Sequence, residues 1–120
     1  MSGTSLDGID ATLVEFPETG SRLLCSAYQP YPDNLRQRLL ALHEPASNEL
    51  HSAALVANEL AGRYAATVHD LLGKAGIGPH QIVAIGCHGQ TIRHQPEYGY
   101  TIQLNNPGDR TRRPGASERR

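Results

Sequence analysis

Gly3-Thr4-Ser5-Leu6-Asp7-Gly8-Ile9-Asp10 begins two residues after Met1 and runs directly into Ala11-Thr12-Leu13-Val14-Glu15-Phe16. In this stretch two glycines, Gly3 and Gly8, flank two hydroxyls and a carboxylate. Glycine lets a backbone turn tightly and approach a ligand closely. Backbone N–H groups and hydroxyls clustered in such a turn can hold phosphate oxygens. A neighbouring carboxylate can hold Mg²⁺ through water. Phosphate-binding turns usually follow a strand, whereas this one comes before the first strand-like segment. Taken alone, the block could equally be a glycine-rich hairpin turn with a solvated aspartate.

Two further blocks lie downstream: Gly86-Cys87-His88-Gly89-Gln90-Thr91-Ile92-Arg93-His94-Gln95-Pro96, then Tyr100-Thr101-Ile102-Gln103-Leu104-Asn105-Asn106-Pro107. In order and spacing the three blocks resemble the anhydro-N-acetylmuramic acid kinases, a family with the actin-like ATPase fold. The resemblance covers residues 1–107, and Met1 to Asp10 match the family's first phosphate motif residue for residue. It implies an α/β fold, an incomplete ribonuclease-H-like domain of the actin-like sugar-kinase type, with ATP and Mg²⁺ as cofactors. The implied reaction phosphorylates 1,6-anhydro-N-acetylmuramic acid while water opens the anhydro bridge, giving N-acetylmuramic acid 6-phosphate. It also implies a bacterial cytoplasmic enzyme of cell-wall recycling, a homodimer at full length.

Site roles follow from the same resemblance. Gly3, Thr4, Ser5, Leu6, Asp7, Gly8, Ile9 and Asp10 would form the ATP-phosphate turn. Thr4 and Ser5 would donate to phosphate oxygens, and Asp7 would hold Mg²⁺ through water. Asp10 would set the turn. His88, Gly89, Gln90 and Thr91 would face the sugar side of the cleft. The plainer reading makes Asp7 a turn-capping carboxylate and His88 a satisfied buried histidine holding the strand end. Arg93 and His94 read as surface residues. The family's general base is an aspartate in a downstream Asp-Phe-Arg motif, and that motif does not occur in these 120 residues. None of Asp33, Asp70 or Asp109 stands in such a context, so no catalytic base is assigned.

Between the blocks, residues 11–16 and 22–28 read as a hairpin across Pro17-Glu18-Thr19-Gly20-Ser21. Asp33 reads as the N-cap of a helix through Leu35, Leu39, Leu40 and Leu42. Ser47 or Asn48 would cap the next helix, whose apolar positions are Leu50, Ala54, Ala57, Ala61, Tyr64, Val68 and Leu71. Gly73, Gly76 and Gly78-Pro79 stop it. Ile82-Val83-Ala84-Ile85 reads as a buried strand of the parallel kind, placing 82–87 in the same sheet as the hairpin. Strands, helices, then a strand suit a three-layer α/β domain.

Residues 108–120 differ in character. They hold five arginines against two acids, and Ala116 is their one apolar residue. Such a segment buries too little apolar surface to offset its ordering entropy. It reads as an unstructured basic tail, by composition a frameshifted terminus rather than a nucleic-acid arm. The chain as a whole reads as an N-terminal fragment of the kinase, its domain lacking a first strand and inactive alone. A non-catalytic truncated product with only vestigial phosphate binding is the alternative.

Net charge is −1, so nothing global points to nucleic acid or an anionic membrane. No apolar run reaches membrane-spanning length, and no signal peptide is visible. The partners expected are small molecules. Cys25 and Cys87 are too few for a disulfide framework and read as small buried hydrophobes. The six histidines are scattered without a metal-binding motif, so a metal hydrolase is disfavoured.

Overall fold

A computed structural model describes residues 5–106. The arginine-rich tail and residues 1–4 lie outside the described residues. The chain is α/β, with two small sheets and two main helices. Strands β1 (Gly8–Glu15) and β2 (Arg22–Pro30) pair antiparallel, with Gly8 opposite Pro30 and Glu15 opposite Arg22. The hairpin is the expected one, but β1 starts earlier, so Gly8, Ile9 and Asp10 of the first block are strand residues. A register shift between Leu13 and Val14 marks a bulge.

Helix α1 (Asp33–Ala41) begins with Asp33 as its first residue rather than its cap; Pro32 holds the cap position. Pro suits the entry to a helix because the N–H it lacks would be an orphan there. Helix α2 (Glu49–Ala75) is 27 residues long, with Asn48 and Gly76 at its N- and C-cap positions. Its buried face comprises Val56, Ala57, Leu60, Ala61, Tyr64, Thr67, Leu71 and Leu72. Four of the expected positions, Ala57, Ala61, Tyr64 and Leu71, are on it. Leu50 is not, being 86% exposed, and Ala54 is exposed too. The first turn of α2 overhangs the core, and the seam is carried by Val56 and Leu60 instead. Thr67 is fully buried because its hydroxyl donates to the Arg63 carbonyl one turn back, at 2.8 Å. That bond satisfies the polar atom within the helix.

Strands β3 (Gln90–Gln95) and β4 (Tyr100–Leu104) form the second antiparallel pair, with Gln90 opposite Leu104. Here the structure corrects the expected strand at 82–87. Residues 82–89 are neither helix nor strand, Val83 is fully exposed and Ile85 largely so. An inner strand needs neighbours to take its backbone N–H and C=O groups. Among the described residues no strand lies beside this run. The hairpin and β3–β4 are therefore separate sheets. The apolar composition of 82–85 was legible, but not whether a partner strand exists to bury it.

One core joins these parts. Leu6, Ile9, Tyr31, Leu35, Leu39, Leu42, Val56, Leu60, Tyr64, Ile92 and Leu104 form a single buried cluster, with Cys87 packed partly against it. Cys25 and Cys87 are free and only half-buried, so neither is the fully buried hydrophobe expected. If Leu60 anchors this cluster, Leu60→Ala should lower unfolding stability by about 2–5 kcal/mol. Leu50→Ala should stay within about 0.5 kcal/mol of the parent. Urea titration of both variants checks the contrast.

Candidate functional site

The first block is a turn feeding β1. Leu6 has φ +56°, a left-handed conformation that is unfavourable for a residue with a Cβ. Its side chain is buried in the core cluster, and that burial holds the unusual backbone. Ile9 is buried in the same cluster. Leu6 and Ile9 can therefore offer a ligand only backbone groups. Ser5, Asp7 and Asp10 are exposed. Gly8 lies against the end of β2, where an added Cβ would stand 2.3 Å from the Gln29 carbonyl oxygen and 2.8 Å from Pro30 Cα. No side chain fits there without moving the hairpin. Gly3 and Thr4 lie outside the described residues.

The second block sits where the 82–89 segment enters β3. His88 is exposed. Gly89 has φ +78°, and an added Cβ would stand 2.2 Å from the Leu104 carbonyl oxygen. Both facts demand glycine. Gln90 is fully buried, its Oε1 accepting from the Tyr31 hydroxyl at 3.1 Å and its Nε2 donating to the Thr91 carbonyl at 3.2 Å. Thr91 is buried, and its Oγ1 accepts from Gln103 Nε2 at 3.4 Å. The third block closes over this turn, with Asn105 Nδ2 donating to the Cys87 carbonyl at 3.3 Å.

Tyr31 reaches both blocks. Its backbone N–H donates to the Asp7 carbonyl at 3.0 Å, and its hydroxyl bonds Gln90. Sequence reasoning gave Tyr31 no role; its place after Pro30 and before Pro32 was the available signal. Arg93 is likewise not the surface residue expected. Its guanidinium is largely buried and donates to Glu49 at 2.9 Å and to the Leu42 carbonyl at 3.0 Å, tying β3 to both helices. Its Nε has no partner among the described residues. His94 is exposed, its Nδ1 2.7 Å from Thr101 Oγ1.

The hydrogen bond from Arg93 holds the Glu49 carboxyl below its usual range, and Glu49 raises Arg93 in turn. Burial works to raise Glu59, but hydrogen bonds from Arg38 and Arg63 outweigh it and leave the carboxyl lowered. Among the described residues no three His, Cys, Asp or Glu side chains gather closely enough to hold a metal ion. Asp7 can contribute one exposed carboxylate, which suits an ion such as Mg²⁺ that keeps most of its waters. No helix of the described residues is long and apolar enough to cross a membrane.

An exposed, glycine-tight turn on an α/β frame is thus tied through Tyr31 to a second polar turn. The family model for anhydro-N-acetylmuramic acid kinase matches residues 1–115, running past the third block into the arginine-rich segment. The chain is 57% identical over 108 residues to the anhydro-N-acetylmuramic acid kinase of Nitrosomonas europaea. It is 58% identical to that of Nitrosospira multiformis and 60% identical to that of Thiobacillus denitrificans. Each match covers 88% of this chain, and 28% to 30% of the relative. The chain belongs to the anhydro-N-acetylmuramic acid kinase family, and it spans less than a third of the length of the relatives it matches.

Two outcomes test this geometry. Gly89→Ala should lower the thermal midpoint clearly, by an amount matching about 1–3 kcal/mol of backbone strain or more. Because the folded-state pKa of Glu49 is depressed, its contribution to stability is present above the unfolded carboxylate value. It is lost as pH falls through the lowered folded value. Glu49→Gln should therefore flatten part of the acid limb of a stability-versus-pH curve below about pH 4.5. An unchanged acid limb would count against the Arg93–Glu49 pair.

Proposed function

We propose that this chain supplies the phosphate-binding turn of a kinase that transfers the γ-phosphoryl group of ATP to 1,6-anhydro-N-acetylmuramic acid. Water opens the anhydro bridge in the same reaction, and the product is N-acetylmuramic acid 6-phosphate. Membership of the family carries this reading. The turn at Ser5–Asp10, exposed where it would meet phosphate and fixed by Leu6 and Gly8 from within, supports it.

Phosphoryl transfer asks the protein mainly for positioning and charge neutralisation. Ser5 and the N–H groups of the turn, with Gly3 and Thr4, would hold the phosphates. Asp7 would orient Mg²⁺ through its waters, and that ion would neutralise charge on the phosphates when bound. His88, exposed on its turn, would face the sugar, and Gly89 would let the backbone come close. Gln90 and Thr91, buried as they are, would act by shaping the turn that carries His88. The fold proposed for the longer protein is the actin-like sugar-kinase fold, with this chain within its first ribonuclease-H-like domain. A bacterial cytoplasmic protein, dimeric at full length and acting on small molecules, agrees with that function.

The general base belongs to the Asp-Phe-Arg motif that these residues lack, so this chain alone is not expected to turn over. Loss of a general base costs a factor of about 10² to 10⁴, and an incomplete cleft removes positioning as well. A second reading, a non-catalytic product with vestigial phosphate affinity, is favoured by the exposed apolar run at 82–85. The test incubates the purified chain with ATP, Mg²⁺ and anhydro-N-acetylmuramic acid and seeks the 6-phosphate by mass spectrometry. No product is expected from the chain alone. Joining it to the remaining segment of the Nitrosomonas europaea relative should yield product, and Asp7→Ala should abolish it. Turnover by the chain alone would overturn the incomplete-site reading.

A further inference from the structure

We propose that Tyr31 is a positioning residue that clips the phosphate turn to the second polar turn, fixing their separation. This rests on the phosphate-site reading above only for its functional consequence; the clip itself is a matter of geometry. Residue 31 stands just past the end of β2. Pro30, opposite Gly8 in the ladder, has no N–H to give, so the next available donor is that of Tyr31. It is spent on the carbonyl of Asp7, at 3.0 Å. The same residue's hydroxyl crosses the core to Gln90 Oε1, at 3.1 Å. One rigid ring therefore has its backbone bonded to the first block and its tip bonded to the second.

Both ends of the clip are buried. Tyr31 is 6% exposed and Gln90 0%. The ring lies in the cluster that also holds Leu6 and Ile9 from the first block and Ile92 and Leu104 from behind the second. No ladder hydrogen bond joins the two sheets among the described residues, so no strand among these residues aligns the two turns. A phenol suits the task because it spans the gap with only two rotatable bonds, and a buried hydroxyl bonded to an amide oxygen has a fixed direction. Arg93 ties β3 to the helices, whereas the hydrogen bonds of Tyr31 reach both blocks.

The test is made on the 120-residue chain by amide hydrogen exchange and NMR. In the unmodified chain, the amides of Tyr31 and of Gln90–Ile92 should open together, with one shared response to denaturant. Tyr31→Phe keeps the ring and removes the hydroxyl. It should speed exchange at both places by about fivefold, the factor that one neutral hydrogen bond is worth, and leave Leu60 in α2 slower. Gln90→Met approaches the clip from the other end and should loosen the amide of residue 31 similarly. Independent opening of the two sites, or an effect of Tyr31→Phe confined to Gln90, would overturn the clip. If either variant fails to fold, the shared opening in the unmodified chain still decides.

The functional half uses MgATP at millimolar concentration. Amide shifts at residues 5–10 should be accompanied by shifts at 89–92 in the parent, and the second set should vanish in Tyr31→Phe. Shifts at 89–92 that persist in Tyr31→Phe would overturn the positioning role. The absence of any shift at 5–10 would count against the phosphate-site reading instead, with the clip still judged by exchange.

Discussion

Among the described residues, two small sheets with no backbone ladder between them are held in one body by the buried face of α2 and the leucines of α1 packed on it. Val56, Leu60 and Tyr64 bury against Leu35 and Leu39, and the same cluster takes in Ile9 from one sheet and Ile92 and Leu104 from the other. A two-stranded ribbon is marginal in water by itself. Each pair therefore depends on this shared apolar contact for its persistence and its placement. The polar ties, Arg93 to Glu49 and Tyr31 to Gln90, add direction to a placement that burial makes favourable. A neutral hydrogen bond contributes roughly 1 kcal/mol net, while a core leucine contributes several times that on truncation. Burial decides whether the sheets stay together, and the hydrogen bonds decide in which orientation.

The hairpin, the long helix and its stop at Gly76 were legible in the sequence because each rests on local signals: alternation, three-and-four spacing, and turn residues. The misread elements are those decided by distant neighbours. Residues 82–85 have the composition of an inner strand, and composition cannot say whether strands flank them. Leu50 has the right spacing for the α2 face but lies beyond the end of the core, where the described residues leave it 86% exposed. Thr67, which the sequence reading did not single out, is polar yet fully buried, since its hydroxyl is satisfied inside its own helix.

The candidate blocks were legible as motifs, and which of their residues are buried was not. Within Gly3–Asp10, the described residues alternate between outward and inward duty: Ser5, Asp7 and Asp10 are exposed, whereas Leu6 and Ile9 are anchors. Within His88–Thr91 only His88 is exposed. A motif match weights all its letters alike, yet burial separates those that can touch a ligand from those that hold the backbone. Tyr31 carries the converse lesson. It belongs to neither block, and only the folded chain shows it bonded to both.

The backbone of the proposed phosphate turn is also set from the inside rather than left for a ligand to shape. A left-handed Leu6 is costly in an open loop, where the chain would relax to an ordinary conformation. It persists here because its side chain is seated in the core, and because Gly8 lets β1 close against Gln29 and Pro30 without obstruction. Leu6 thus converts burial energy into backbone geometry. A turn shaped in this way would bind an anion without first having to be ordered by it, the entropy of that ordering having been met during folding. The apolar letters of the motif, Leu6 and Ile9, which can offer phosphate no side-chain contact, are the ones on which the preorganisation of its polar letters depends.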